Sequence, residues 1–241
     1  MSRLVLHAFA GQRIVKRHFH TWDGTQKAQA VSGWSADLLK LVRVELQVHN
    51  DALIEQPALF VCNHMSWLDI FVLNAWQPAV FVSKAEVAAW PLLGPLISGA
   101  GTLFIEREKR RDALKVVHQL ADVLRSGRSG AVFPEGTTTP GDTLLPFHAN
   151  LLQAAVSAGV PVQPLALRYV DSATAKQSFA ASYIGDMSLA QSLKSVANSP
   201  PIIAQLHVLP AIKAVDRRAA AAQARASVAA ALGFSVGENN G

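Results

Sequence analysis

Four apolar runs of five residues punctuate this chain: ALFVC (58–62), AVFVS (79–83), TLFIE (102–106) and GAVFP (130–134). None alternates apolar with polar, and each is stopped by polar residues, glycine or proline. That is the pattern of strands covered on both faces, as in parallel sheets flanked by helices. Helical periods fill the intervals. One runs over 25–43, with Ala30, Trp34, Leu38 and Leu41 at helical spacing. Others follow at 67–76, 110–127 and 149–159, and an Ala-rich one at 216–232. VELQV (44–48) alternates as a strand, PVQPLALRYV (161–170) is a strand whose prolines suggest an edge or a bulge, and PIIAQLHVLP (201–210) is the last strand.

Strands alternating with helices predict an α/β class. We expect a single domain with a central mixed, largely parallel sheet flanked by helices, plus an N-terminal amphipathic helical segment. The expected organisation is 1–43 as a basic helical segment apposed to a membrane, 44–212 as the α/β domain, and 213–241 as a C-terminal helix and frayed tail. The Ser- and Ala-rich stretch 171–200 reads as a surface loop with a short helix.

At 241 residues the chain is long enough for one sizeable core. Half of it is hydrophobic and only 16 % is charged, with a net charge of +5. Residues 1–50 carry Arg3, Arg13, Lys16, Arg17, Lys27, Lys40 and Arg43 against Asp23, Asp37 and Glu45. Such an arm favours anionic lipid or an acidic carrier protein. Nucleic acid matches the sign, but no zinc-finger spacing, RNP-like motif or dense basic block is present. Leu4 to Ala10 is too short to span a bilayer and is interrupted by His7. A helix packed on the domain and a helix lying in the interface both fit it. Two uncharged stretches, 87–105 and 143–167, reach spanning length by count. Pro91, Gly94, Pro95, Gly99 and Gly101 break the first, and Pro146, Pro161 and Pro164 the second, so short buried elements are expected rather than transmembrane helices.

The densest chemistry is CNHMSWLD (62–69), between the apolar runs ALFV and IFVL. With His64 in a strand-ending turn and Asp69 in the next helical turn, the carboxylate can hold the imidazole Nδ1–H and leave Nε2 to take a proton from an alcohol. Ser66 and Asp69 also fit S-x-x-D, a helix-start pattern, so capping alone is an alternative for Asp69. Cys62, the only cysteine, offers a thioester route through a Cys–His pair, or is an inert small apolar residue. No G-x-S-x-G or H-E-x-x-H occurs, which removes the anchor of an α/β-hydrolase and of a zinc protease. A second polar island, FPEGTTTPGD (133–142), follows another strand, and Arg107 follows a third. An ordinary turn and a solvated basic face are the plain readings of these two.

Taken in order, N-H-M-S-W-L-D (63–69), G-T-L-F-I-E-R (101–107), F-P-E-G-T (133–137) and V-P-V-Q-P-L (160–165) resemble the four motifs of the glycerolipid acyltransferases, the lysophosphatidate acyltransferase family. The resemblance implies a membrane-associated α/β enzyme on the cytoplasmic face of the cell membrane. It would move an acyl chain from acyl carrier protein or acyl-CoA to a lipid hydroxyl, with no metal and no cofactor. It makes His64 the general base and Asp69 its partner. It also implies substrate contacts from Asn63, Ser66, Lys84, Arg107, Glu135, Gly136, Thr137 and Thr138. One position departs from the family pattern: Pro-Glu-Gly-Thr-Arg becomes Pro-Glu-Gly-Thr-Thr, with Thr138 where a charge-assisted phosphate contact would be expected. In this the chain looks closer to the branch that acylates lyso-ornithine lipids. A binding module without turnover is the rival class, and intact His64 and Asp69 argue against it.

Overall fold

The computed structural model describes residues 2–91, 93–106 and 110–235. Helices α1 (Ser2–His18) and α2 (Gly24–Leu41) precede strands β1 (Val44–His49) and β2 (Leu59–Cys62). There follow α3 (Leu68–Trp76), β3 (Val80–Lys84), α4 (Gly94–Gly99), β4 (Leu103–Ile105), α5 (Arg110–Arg125) and β5 (Gly130–Val132). The chain continues through α6 (Gln153–Ala158), β6 (Val162–Asp171), α7 (Leu189–Asn198), β7 (Ile202–Val208) and α8 (Arg217–Leu232).

The strands form one seven-stranded sheet in the order β1-β7-β6-β2-β5-β3-β4. All neighbours are parallel except β6 and β7. The class is therefore the expected α/β, mixed and largely parallel. Strand β2 shows why its sequence is apolar without interruption. Leu59 and Val61 enter a core with Leu120, Leu124, Leu152 and Ala224, whereas Phe60 and Cys62 enter one with Leu68, Leu73, Leu165 and Leu206. Helices therefore cover both of its faces.

Because β2, β5, β3 and β4 run parallel, the loops after their C-terminal ends gather at one edge of the sheet. Strand β6 runs beyond that edge. It pairs with β2 only as far as Cys62↔Leu165, then continues antiparallel to β7 to Asp171↔Ile202. Of the two expectations for its prolines, the edge is corrected, since β6 lies between β2 and β7, whereas the bulge is present: Leu165 pairs with Val208 but Val162 with Ile212, which leaves one extra residue on the side opposite Pro164. The carbonyl of Pro164 accepts from Leu209 N at 3.1 Å. N–H and C=O of one strand residue point the same way, so the missing proline donor faces Leu209, whose carbonyl accepts from Gln163 Nε2 instead.

The stretch 87–105 folds into short elements, of which α4 packs on α1. No helix among the described residues is long and apolar enough to cross a membrane. Glycine permits the α1 contacts. A Cβ on Gly11 would lie 2.4 Å from Trp34 Nε1 and 2.7 Å from Leu96 Cδ2, and one on Gly99 would lie 2.3 Å from Val15 Cγ1. His7 and Trp34 lock the α1–α2 contact: His7 Nε2 donates to the Trp34 carbonyl at 3.0 Å, and Trp34 Nε1 to the His7 carbonyl at 3.1 Å. One face of α1 is thus docked, while Leu6 and Phe9 on the other are 68 % and 54 % exposed.

Replacing Gly11 by Val forces branched carbons into that contact. We expect a loss of about 1–3 kcal/mol in urea unfolding and faster proteolysis between α1 and α2. Unchanged stability would show that α1 is not docked as described.

Candidate active site

Strand β2 stops at Cys62, α3 begins at Leu68, and the intervening turn is shaped by side chains that replace backbone partners. Both amide atoms of Asn63 bond to Leu167 of β6: Nδ2 donates to its carbonyl at 2.9 Å, and Oδ1 accepts from its N–H at 2.8 Å. The β2–β6 ladder is thereby carried past the last strand residue. Glu135 does the same on the other side. Its Oε1 accepts from His64 N at 2.7 Å and its Oε2 from Leu145 N at 2.9 Å. Thr139 N donates to the His64 carbonyl at 2.9 Å. The backbone of His64 is therefore gripped on both its polar groups by the segment after β5.

The His64 side chain is 20 % exposed and that of Asp69 is fully buried, with Nδ1 and Oδ2 2.8 Å apart. The same Oδ2 accepts from Met65 N at 2.7 Å and Ser66 N at 2.9 Å, and Oδ1 accepts from the Tyr169 hydroxyl at 2.8 Å. All four partners donate, the arrangement of an ionised, acceptor-only carboxylate. The tautomer follows: Nδ1 carries the proton shared with Asp69, and Nε2 is left with its lone pair. Phe133 stacks on the imidazole with centroids 4.0 Å apart and planes 10° apart, fixing the ring plane. Ser66 Oγ accepts from Leu68 N at 3.2 Å, so the helix-start reading holds beside the dyad.

The structure brings together His64, Asp69, Asn63, Ser66 and Glu135, and three of them spend their polar atoms on the backbone. Burial pushes the Glu135 carboxyl up from its ordinary range, against the lowering effect of its two N–H donors, Leu145 and His64. Gly136 has φ +75°, a left-handed conformation natural to glycine, where the chain turns back after Phe133. Thr137 is exposed. Thr138 is partly buried, and its hydroxyl donates to the Tyr183 carbonyl. Tyr183 N in turn donates to Met65 O at 2.8 Å, and Trp90 meets the Tyr183 ring edge-on. Lys84 is exposed at the C-terminal end of β3, separated from β2 by β5. Arg107 lies outside the described residues. Cys62 is fully buried, and burial, with Asp69 and Glu135 adding, pushes its thiol well up, away from the reactive thiolate. No group of three or more His, Cys, Asp or Glu among the described residues is arranged to hold a metal.

Sequence reasoning missed Tyr169, Phe133 and Tyr183. Only Tyr169 left a trace. It occupies a core-facing position of an apolar strand, and a buried phenol has to find an acceptor.

Comparison with known proteins places the chain in a family. The profile of the family described as Acyltransferase matches residues 45–168, half of the chain. A lyso-ornithine lipid O-acyltransferase of Pseudomonas aeruginosa is 40 % identical over 83 % of this chain and 76 % of its own length. A 1-acyl-sn-glycerol-3-phosphate acyltransferase of Neisseria gonorrhoeae is 43 % identical over 51 % of this chain and 49 % of its own. The crystal structure of the 1-acyl-sn-glycerophosphate (LPA) acyltransferase PlsC from Thermotoga maritima shares the fold, with a TM-score of 0.64 over 97 % of both chains at 17 % identity.

His64→Ala is expected to fold and to lose acyl transfer, since the ring sits at the surface of the turn. Asp69→Asn should lower turnover on the order of 10²-fold or more, whereas Cys62→Ala should stay active. Turnover by folded His64→Ala protein, or an acyl group trapped on Cys62, would overturn the assignment.

Proposed function

This chain belongs to the acyltransferase family, and we propose that it is a peripheral membrane O-acyltransferase that makes a diacyl lipid from a monoacyl one. The acceptor hydroxyl attacks the acyl thioester directly. As the C–O bond forms, Nε2 of His64 takes the hydroxyl proton. The C–S bond then breaks, and the imidazolium returns the proton to the departing thiolate. A positioned base of this kind contributes roughly 10²–10⁴-fold. The observation that carries the reading is the 2.8 Å contact between His64 Nδ1 and a carboxylate with no exposure, which fixes the tautomer and stabilises the imidazolium. An inert, buried Cys62 supports direct attack over an acyl-enzyme. The step as written uses no metal or cofactor, and acyl carrier protein or acyl-CoA is the donor we propose.

For the acceptor, our reading is a lysophosphatidate, 1-acyl-sn-glycerol 3-phosphate. A second reading, a lyso-ornithine lipid, is favoured by the name of the Pseudomonas relative, which matches across most of the chain, and by Thr138. Membrane attachment is proposed through α1. Its exposed side carries Leu6 and Phe9 with Arg3, Arg13, Lys16 and Arg17, an apolar and cationic face suited to anionic lipid on the cytoplasmic side.

Two measurements test this reading. Lysophosphatidate and a phosphate-free lyso-ornithine lipid compete in one vesicle preparation at fixed salt, with products followed by mass spectrometry. Dominant acylation of lysophosphatidate supports the first acceptor and dominant acylation of the lyso-ornithine lipid the second, while neither being acylated sinks both. In sedimentation with anionic vesicles, Leu6→Ser with Phe9→Ser should weaken binding by tenfold or more, since each buried apolar side chain is worth roughly 1.5–3 kcal/mol. Added salt should weaken wild-type binding without abolishing it.

A further inference from the structure

Asp69 meets its partners asymmetrically. Three donors crowd Oδ2, namely His64 Nδ1, Met65 N and Ser66 N, whereas Oδ1 has the Tyr169 hydroxyl alone. Tyr169 is 1 % exposed and stands on β6, which is held in register with the turn by the paired Asn63–Leu167 bonds. Leu167 and Tyr169 are two apart on the strand and share a face, so the bonds at Asn63 also place the phenol at Asp69. Its one polar group is spent on this carboxylate, although its ring would pack as well without it.

We propose that Tyr169 is a positioning residue for acyl transfer, its phenol holding Asp69 Oδ1 so that Oδ2 faces His64. The inference rests on the general-base reading of His64. The hydroxyl has two effects. It stops the carboxylate from rotating out of line with Nδ1. It also draws negative charge toward Oδ1, which moderates how strongly Asp69 favours the imidazolium. Burial, with the Asp69 charge adding, pushes the phenol well up from its ordinary range, so it remains a donor throughout the working pH range. The other titratable groups facing the dyad are Glu135 and Cys62, both raised by burial. Neither bonds to the Asp69 carboxylate.

The test is Tyr169→Phe, which keeps the ring and deletes the donor. A charge-assisted bond of this kind predicts a fall in kcat of about ten- to a hundredfold, with KM for donor and acceptor unchanged. More charge left on Asp69 favours the imidazolium, so the acid limb of the kcat/KM profile should move to higher pH. A role through Asp69 also predicts that Tyr169→Phe has no further effect on kcat in an Asp69→Asn background. Replacing Tyr169 by 3-fluorotyrosine, a stronger donor that preserves fold and hydroxyl, should move the acid limb the opposite way. That variant decides the question if Tyr169→Phe does not fold. An unchanged kcat, an unmoved acid limb with either replacement, or an equal loss in the Asp69→Asn background would overturn the proposal. Because His64→Ala is assayed alongside, an inactive His64→Ala with an indifferent Tyr169→Phe removes only this inference. An active His64→Ala removes the base reading itself.

Discussion

A carboxylate with no exposure and no Lys or Arg partner among the described residues can stay ionised only if hydrogen-bond donors surround it, and Asp69 sets that demand at the centre of this molecule. Withdrawing such an ion from water costs several kcal/mol even after relaxation, roughly as much as a domain's whole margin of stability. The turn after β2 has the shape that meets the demand. It folds Met65 N and Ser66 N back onto Oδ2, brings the His64 ring to the same atom, and abuts β6 so that Tyr169 reaches Oδ1. The catalytic geometry and the relief of a buried charge are one set of contacts.

The sheet makes that set possible. Parallel neighbours end at the same edge, so the polar turns after β2 and β5 arise side by side. The long β6 supplies a wall beyond β2. The side chains that finish the ladder are Asn63 toward β6 and Glu135 toward the segment after β5. Each satisfies backbone groups that would otherwise be buried without partners, at about 1–3 kcal/mol apiece. Their chemistry is that of scaffolding: they immobilise the His64 backbone from both sides while the ring edge stays at the surface.

Much of this was legible because the signals were local. Apolar runs without alternation mean strands covered on both faces, and helical periods between them imply parallel crossovers, so the class followed directly. His64 and Asp69 lie five residues apart, and a strand-to-helix turn brings such a pair together with few alternatives. What stayed hidden depended on distant partners. Pro164 reads as an edge signal because sequence does not reveal that, at a bulge in the β6–β7 pairing, the Gln163 side chain takes the Leu209 carbonyl that the proline cannot bond. Tyr169 is a hundred positions from Asp69, and only the β2–β6 register joins them. Thr138 suggests a head-group contact on its own, yet its hydroxyl is bonded to Tyr183, forty-five positions away. Any effect of residue 138 on the acceptor therefore passes through the Tyr183 segment as well as through its own side chain.

The docking of α1 bears on how two amphiphiles could meet at one base. Pulling an acyl chain out of a bilayer costs about 0.8 kcal/mol per methylene, on the order of 10 kcal/mol for a chain of ordinary length. A base that required full extraction would add that cost to the barrier of every turnover. Here the inner side of α1 (Leu4, Val5 and Ala8), together with Trp34, Leu38, Leu93, Leu189 and Leu193, surrounds a small apolar cavity of about 100 Å³ that also reaches Trp67. Trp67 belongs to the same turn as His64. An apolar cavity therefore lies between the helix proposed to face lipid and Trp67 of the turn that carries the base. Gly11 and Gly99 admit the close contacts of α1 with Trp34, Leu96 and α4 beside it. Apolar surface beside that turn offsets the cost of extraction to the extent that it covers the chains, while the hydroxyl and the thioester carbonyl must still come to the edge where His64 stands.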